Sequence, residues 1–347
     1  MLKKRLILCG FGKVAKAFAT LIAERDRELG DRYGLNFELA AVVGTGGAAI
    51  SKQAPLPLAE LLSHVEAGGM VETLPGYGVP GISGAEVIAK LEADVVLETT
   101  PTNLKDGQPG WEYTLAALNR GRDIVFANKG PLVLHYREIQ ELARARGARI
   151  MMSAATAAAL PTLDVGLICL AGSRITSVEG ILNGTTNYIL TRMHKDKSTY
   201  ETALREAQKQ GIAETDPSLD VEGWDTRNKL YLIGSRIFER DIALQNIRVT
   251  GINGILPEVI AKASARGKVI KLLGSACLEN GMLTLTVEPR ALDPDHPLAA
   301  VNYSEKAICY ETDTMGRVMV MGGKSSPVGA AAAMVKDLIH LSLLPAL

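Results

Sequence analysis

The first part of the chain alternates short apolar runs with stretches whose apolar residues recur every three or four positions. KRLILC at 4–9 leads into GFGKVAKAFATLIAERDREL, where Val14, Phe18, Leu21 and Ile22 fall at helical spacing. This predicts strand, glycine turn, helix. FELAAVVG (37–44) predicts a second strand, and DVVLETT (94–100) a third, preceded by the helical pattern of GAEVIAKLEA. TLAALNRGRDIVFANKG (114–130) and REIQELARARGARIMMSAA (137–155) each predict helix, turn and a further strand. Strands that alternate with helices argue an α/β fold with a doubly wound parallel sheet.

After about residue 160 the texture changes. RITSVEGILNGTTNYILTRM mixes strand and helix signals. VEGWDTRNKLYLIGSRIF predicts an amphipathic helix starting near Glu222. GMLTLTVEPRAL, KAICYETD and GRVMVMGG predict antiparallel strands, so the second half reads as α+β. SSPVGAAAAMVKDLIHLSLL predicts a closing helix, with Ser326 as cap and Pro327 in the first turn.

Composition narrows the possibilities. A length of 347 residues suggests two domains. Lys+Arg and Asp+Glu are 38 each, which argues against a broad nucleic-acid or membrane footprint. The apolar run after the basic triplet of MLKKRLILCGFG stops at Gly10, too short for a signal peptide. The longest apolar stretch is broken by Pro161 and Asp164, so no membrane span is expected and the cytoplasm is. Cys9, Cys169, Cys277 and Cys309 are far apart in apolar contexts and predict buried free thiols. Five scattered histidines show no metal-ligand spacing, and no metal is predicted.

The turn Gly10-Phe11-Gly12-Lys13-Val14, closed by Ala15, follows a strand and opens a helix. That is the context a dinucleotide fingerprint needs, although small residues in such a turn can be purely structural. Gly10 permits the tight turn, Gly12 lets backbone approach a pyrophosphate, and the helix N-terminus favours the anion. The first domain is therefore of Rossmann type. The second strand ends in Gly44, Thr45, Gly46 and Gly47, with no acid for a ribose 2′-hydroxyl. That favours NADP as cofactor, with NAD also admissible. Ser51 and Lys52 lie nearby and could contact the extra phosphate; Lys52 could equally be a solvated loop residue.

The densest chemistry is GIAETDPSLDVEGWDTRNKL at 211–230. Asp225 and Lys229 are four apart on the predicted helix and share a face. On a surface they would contribute about 0.3–0.5 kcal/mol. In a cleft the lysine could protonate a developing alkoxide while the acid holds it. Glu214 and Asp220 precede them in a loop, where carboxylates can converge on an ammonium group.

These segments carry a resemblance. GILNGTTNYILTRM (180–193), AQKQGIAETDPSLDVEGWDTRNKL (207–230) and FANKGPL (126–132) look like signature segments of homoserine dehydrogenase, and the likeness runs from GFGKVA to GGKSSPVGAAAAMVKDL. It implies NAD(P)-dependent reversible reduction of aspartate 4-semialdehyde to homoserine, on the route to threonine and methionine. It implies Lys229 and Asp225 as the catalytic pair and Glu214 and Asp220 as ligands of the substrate amino group. Lys129 resembles a lysine between nicotinamide and substrate, preceded by Asn128 in the same segment. Thr99, Thr100 and Pro101 of ETTPTN match a segment that lines the nicotinamide. Asn183, Gly184, Thr185 and Thr186 match the wall of the substrate pocket, with Thr185 a carboxylate ligand. Gly322 and Gly323 match a segment that returns to the cofactor. The implied organisation is a dinucleotide-binding domain over 1–135, rejoined by 322–347, and a substrate-binding, catalytic and dimerisation domain over 136–321. A homodimer is implied as well. Another small amino-acid aldehyde or hydroxy acid is the alternative substrate.

One segment departs from the pattern. SAATAAALP at 153–161 puts Ser153 where the family's glutamate helps hold a sodium ion, and Ala157 and Ala158 where glycines approach the nicotinamide. This argues against bound sodium. The chain ends near 347 without an ACT-type tail or an aspartokinase portion, so strong threonine feedback is not expected.

Overall fold

The structure, a computed structural model, describes residues 1–323 and 325–344. It divides into two compact units, Met1–Ala159 with Ser326–Leu347, and Leu160–Ser325. In the first, β1 (Leu2–Cys9), β2 (Leu35–Val43), β3 (Gly47–Ile50), β4 (Gly78–Pro80), β5 (Val95–Glu98), β6 (Asp123–Phe126) and β7 (Ile150–Met151) form one sheet. Its order is β4-β3-β2-β1-β5-β6-β7. The pairs among β2, β1, β5, β6 and β7 are parallel, while β2–β3 and β3–β4 are antiparallel. Leu6, Ile7, Leu8 and Cys9 are all fully buried, as a central strand covered on both faces requires.

Helices α1 (Lys13–Glu24), α2 (Asp26–Tyr33), α3 (Leu58–Glu66), α4 (Gly84–Lys90), α5 (Gly110–Asn119), α6 (Gly130–Arg146) and α7 (Ser153–Ala157) belong to this unit. The single helix expected after Gly12 is two, because the chain breaks at Arg25, whose N–H bonds back to Leu21. Residues 136–159 lie in this unit rather than with 160–321: the strand that follows α6 pairs with β6 and extends the first sheet.

The second unit holds a six-stranded sheet. Its strands are β8 (Ile175–Ile181), β9 (Arg248–Val249), β10 (Val269–Glu279), β11 (Met282–Leu292), β12 (Ala307–Thr312) and β13 (Arg317–Met321), in the order β13-β12-β8-β10-β11-β9. Every pair but β11–β9 is antiparallel. With it go α8 (Thr162–Asp164), α9 (Gly184–Lys195), α10 (Tyr200–Lys209), α11 (Ser218–Val221), α12 (Trp224–Phe238) and α13 (Pro257–Ser264). α12 starts two residues after Glu222. Gly223 takes φ +87°, and a methyl group there would meet Val249 at 3.0 Å, so the turn needs glycine.

Helix α14 (Pro327–Leu343) belongs to the first unit, with Ser326 capping the Gly329 N–H at 3.1 Å. Ala331, Met334 and Leu338 share one core with Ala15, Phe18 and Ile22 of α1. Positions 324 and 345–347 of the expected return over 322–347 lie outside the described residues. All four cysteines are free; Cys9 and Cys309 are buried as expected, whereas Cys169 is exposed and Cys277 only half-buried.

Candidate active site

At the carboxyl edge of the first sheet β1 runs into Gly10, whose N–H donates to Val43 O at 2.9 Å and ties the turn to the end of β2. Gly10 has φ +86°, and a methyl group there would stand 3.0 Å from the backbone of Thr99 and Thr100. Both facts exclude larger residues. A methyl group on Gly12 would meet nothing within 4 Å, so the space over that residue is open. No side chain caps α1 and its first turn carries no acid, so the helix N-terminus can take an anion. Phe11 and Val14 are half-buried, Lys13 is exposed and Ala15 is buried. This turn fits a dinucleotide.

The adjoining loops are braced by one polar chain. Asn128 donates to the Thr100 hydroxyl at 3.1 Å and accepts from Gly130 N–H at 2.8 Å. The Thr100 N–H, at 2.9 Å, and its hydroxyl donate to Glu98 Oε1. The Thr99 hydroxyl donates to Cys9 O at 2.8 Å, and Pro101 is exposed. Burial pushes the Glu98 carboxyl up to about 7, against the Thr100 hydrogen bonds that oppose the rise. Lys129 immediately precedes the first residue of α6, in this same unit.

Ser51 and Lys52 are not at this edge. β3 runs back along β2, so Ser51 N–H bonds to Ala40 O, and Arg5 takes the carbonyls of both residues. That places them three residues behind Val43, about 10 Å at strand rise. A carboxylate arrives instead from the 3-10 turn Val71–Thr73. Glu72 is 9% exposed, and its Oε2 lies 3.0 Å from where a methyl group on Gly44 would stand. The expectation of NADP rested on the lack of an acid at the end of β2, and Glu72 removes that premise. The run Gly44-Thr45-Gly46-Gly47 was the available signal, since repeated glycines mark a close approach.

In the second unit, the acids of 211–230 divide. Asp216 accepts from Ser218, and Glu222 accepts from the Trp224 indole at 2.8 Å. Glu214 is exposed, and its carbonyl rather than its carboxylate accepts from Gln208. Asp220 and Asp225 converge. Asn183 donates to Asp220 Oδ1 at 2.7 Å and to Asp225 Oδ2 at 2.9 Å. Lys229 Nζ stands 2.6 Å from the same Asp225 oxygen and 2.9 Å from Leu182 O. The Asp225 and Lys229 side chains are each 15% exposed, so this i,i+4 pair is not a solvated surface bridge.

Asn183 is where β8 hands over to α9. Its Oδ1 accepts from Thr186 N–H at 3.0 Å and caps the helix, which fixes the amide so that its two N–H bonds face the two carboxylates. A methyl group on Gly184 would meet Ser304 O at 2.9 Å, so this first helical residue must be small. Thr185 donates its hydroxyl to Ile212 O at 3.0 Å and also lies within hydrogen-bond reach of the Asp220 carboxyl. The Asp220 carboxyl is raised, first by burial and then by the charge of Asp225, with hydrogen bonds from Thr185 and Asn183 and the charge of Lys229 opposing. Gly322 and Gly323 follow β13 in this unit, both with positive φ.

The SAATAAALP segment is built without the family's acid. Ser153 is buried, and its N–H and hydroxyl donate to Asp337 at 3.0 and 2.7 Å, while Lys336 reaches the hydroxyl at 2.8 Å. Ala158 adopts φ +54°, ψ −117°, a conformation suited to glycine.

The chain is similar to known proteins over nearly its whole length. A family model described as homoserine dehydrogenase matches residues 161–339. The chain is 37% identical over 336 residues to a homoserine dehydrogenase of Methanocaldococcus jannaschii, covering 97% of this chain and 98% of the relative. It is 34% identical over 342 residues to an NAD(+)-dependent homoserine dehydrogenase of Pseudomonas canavaninivorans, covering 98% and 97%. A hyperthermophilic archaeal homoserine dehydrogenase mutant, solved in complex with NADPH, matches with a TM-score of 0.84 and 25% identity over 100% of both chains.

Proposed function

Because this chain belongs to the homoserine dehydrogenase family, we propose that its Lys229–Asp225 pair moves the proton of the family's reaction, with Asn183 and Asp220 shaping the substrate site. That reaction, reversible NAD(P)-dependent reduction of L-aspartate 4-semialdehyde to L-homoserine, is the chain's activity. The observation that carries the proposal is the contact of Lys229 Nζ with Asp225 Oδ2 at 2.6 Å, locked to Asp220 through one asparagine.

A bound nicotinamide dinucleotide supplies the hydride, and the turn Gly10–Val14 with Thr99, Thr100, Pro101 and Asn128 would hold it. The remaining work is proton handling. As the aldehyde is reduced, its oxygen gains negative charge. The Lys229 ammonium stabilises that charge and gives up one proton, leaving a hydroxyl and a neutral amine. Asp225 and Leu182 O hold the nitrogen in place through the step. In the reverse direction the neutral amine takes the hydroxyl proton. Asp220, with Glu214 from the preceding loop, is assigned to the substrate ammonium group. Lys129 is assigned as the second catalytic lysine. The substrate therefore needs an ammonium beside its aldehyde.

The same proposal includes a homodimer, with β13 as an edge strand that leaves Met321 half exposed. A cytoplasmic location goes with the four free cysteines. No helix among the described residues is long and apolar enough to cross a membrane.

The test compares aspartate semialdehyde with succinate semialdehyde, which keeps the aldehyde and the carboxylate but lacks the ammonium. The expected kcat/KM falls about 100-fold or more for the second compound, because it lacks the ammonium that the Asp220 and Glu214 carboxylates are assigned to bind. Equal values for the two would sink the assignment of Asp220.

A further inference from the structure

We infer that Glu72 reads the adenosine ribose of the cofactor and selects NAD over NADP. The inference rests on the proposal that a nicotinamide dinucleotide binds the β1–α1 turn, and adds the residue that decides which one.

In a dinucleotide-binding sheet the acid that accepts from the ribose 2′-hydroxyl usually ends the second strand. Here that strand ends in glycines, and the acid comes from 28 residues further on. The glycines make room for it. A methyl group on Gly46 would stand 2.0 Å from Glu72 Oε1, and one on Gly47 would stand 2.9 Å from Glu72 Cβ. Gly44 follows Val43, whose carbonyl receives the Gly10 N–H, so the carboxylate is one residue from the turn that would cradle the pyrophosphate.

The side chain is nine-tenths buried, and Glu72 Oε2 has no hydrogen-bond partner among the described residues. A buried acceptor left without a donor is costly, so native proteins rarely keep one without a use. A ribose 2′-hydroxyl is a donor and would satisfy it. A 2′-phosphate brings only acceptors and negative charge, and would be repelled. Lys52, the nearby cation that the sequence offers for that phosphate, lies back along β2, with its carbonyl held by Arg5.

The test titrates the full-length protein with NADH and with NADPH, following nicotinamide fluorescence, for wild type, Glu72→Gln and Glu72→Asp. Glu72→Gln fills the same space without the charge. Wild type should bind NADH about ten-fold or more tightly than NADPH. Glu72→Gln should bring the two within about three-fold of each other, chiefly by tightening NADPH, and Glu72→Asp should keep the preference for NADH. AMP should compete with NADH on wild type, and 2′-phospho-AMP should compete about ten-fold more weakly. That comparison stands even where a variant does not fold. Tighter NADPH binding by wild type would overturn the inference, as would a Gln variant that weakens both cofactors equally, the signature of a purely structural acid. Folded wild type that binds neither cofactor would overturn the cofactor site itself.

Discussion

Asn183→Ala and Asn183→Ser separate two jobs that one side chain performs. The alanine variant loses the cap on α9, about 1 kcal/mol, and two hydrogen bonds to carboxylates, about 1.5–3 kcal/mol each before water enters. Asp220 is only partly buried, so water recovers some of this, and a net loss of about 3 kcal/mol follows. Serine is a good cap but has a single hydrogen to donate, so Asn183→Ser should be about 1 kcal/mol more stable than Asn183→Ala. Alanine removes both of the amide hydrogen bonds that Asn183 gives to Asp220 and Asp225, and serine at least one of them. The Asp220 carboxyl, already raised by burial and by Asp225, rises further. A raised acid binds protons in the native state that the unfolded state has lost, so stability falls as pH climbs above the ordinary aspartate value. The deficit of either variant should therefore be larger at pH 8 than at pH 5. With Asp225 less firmly held, kcat/KM should drop about ten-fold or more, some 1.4 kcal/mol of transition-state stabilisation. Urea denaturation at the two pH values and steady-state turnover supply the assay. A serine variant with wild-type kcat/KM and a pH-independent deficit would refute the reasoning.

Three further outcomes follow from other sites. Ala158→Gly relieves a backbone conformation that costs about 1–3 kcal/mol in a non-glycine residue, against about 0.5–1 kcal/mol of added chain entropy; a net gain near 1 kcal/mol should raise the first unit's melting temperature by about 2–4 °C, and a fall would contradict the strain. Glu98, raised from 4.5 to about 7 by burial, lowers stability as pH rises through that window, by about 3 kcal/mol in all; Glu98→Gln should gain on wild type between pH 5 and pH 8, whereas a constant difference would dismiss the titration. Gly46→Ala puts a methyl group where Glu72 Oε1 lies, so it should weaken dinucleotide binding measured by fluorescence while far-ultraviolet circular dichroism stays native; unchanged binding would mean the carboxylate plays no part there.

The parallel core was legible because β1, β2, β5 and β6 are apolar runs set between helical repeats. β3 and β4 were not: GAAI and GVP are too short to show a period, and their pairing depends on the Gly44–Gly46 turn. β10 was hidden by Lys271, which is 2% exposed inside the strand and donates to Asn187 and Val301 O; a buried cation breaks the apolar pattern that marks a strand. At the site, the i,i+4 spacing of Asp225 and Lys229 was legible because helix geometry alone puts them on one face. That Asn183 joins the two acids was not, since its partners are 37 and 42 residues away and the link exists only after β8 and α9 have packed on α12. Glu72 escaped for the same reason. Its place at the end of β2 is set by a short turn and three glycines, not by local spacing.

The most direct test of the account is pre-steady-state reduction of aspartate semialdehyde by wild type and Lys229→Ala, each saturated with its cofactor. The variant should keep its fold and bind cofactor as wild type does. Its reduction rate should fall by about 100-fold or more, with partial rescue by added small primary amines. A variant that reduces the aldehyde at the wild-type rate would contradict the claim that Lys229 delivers the proton.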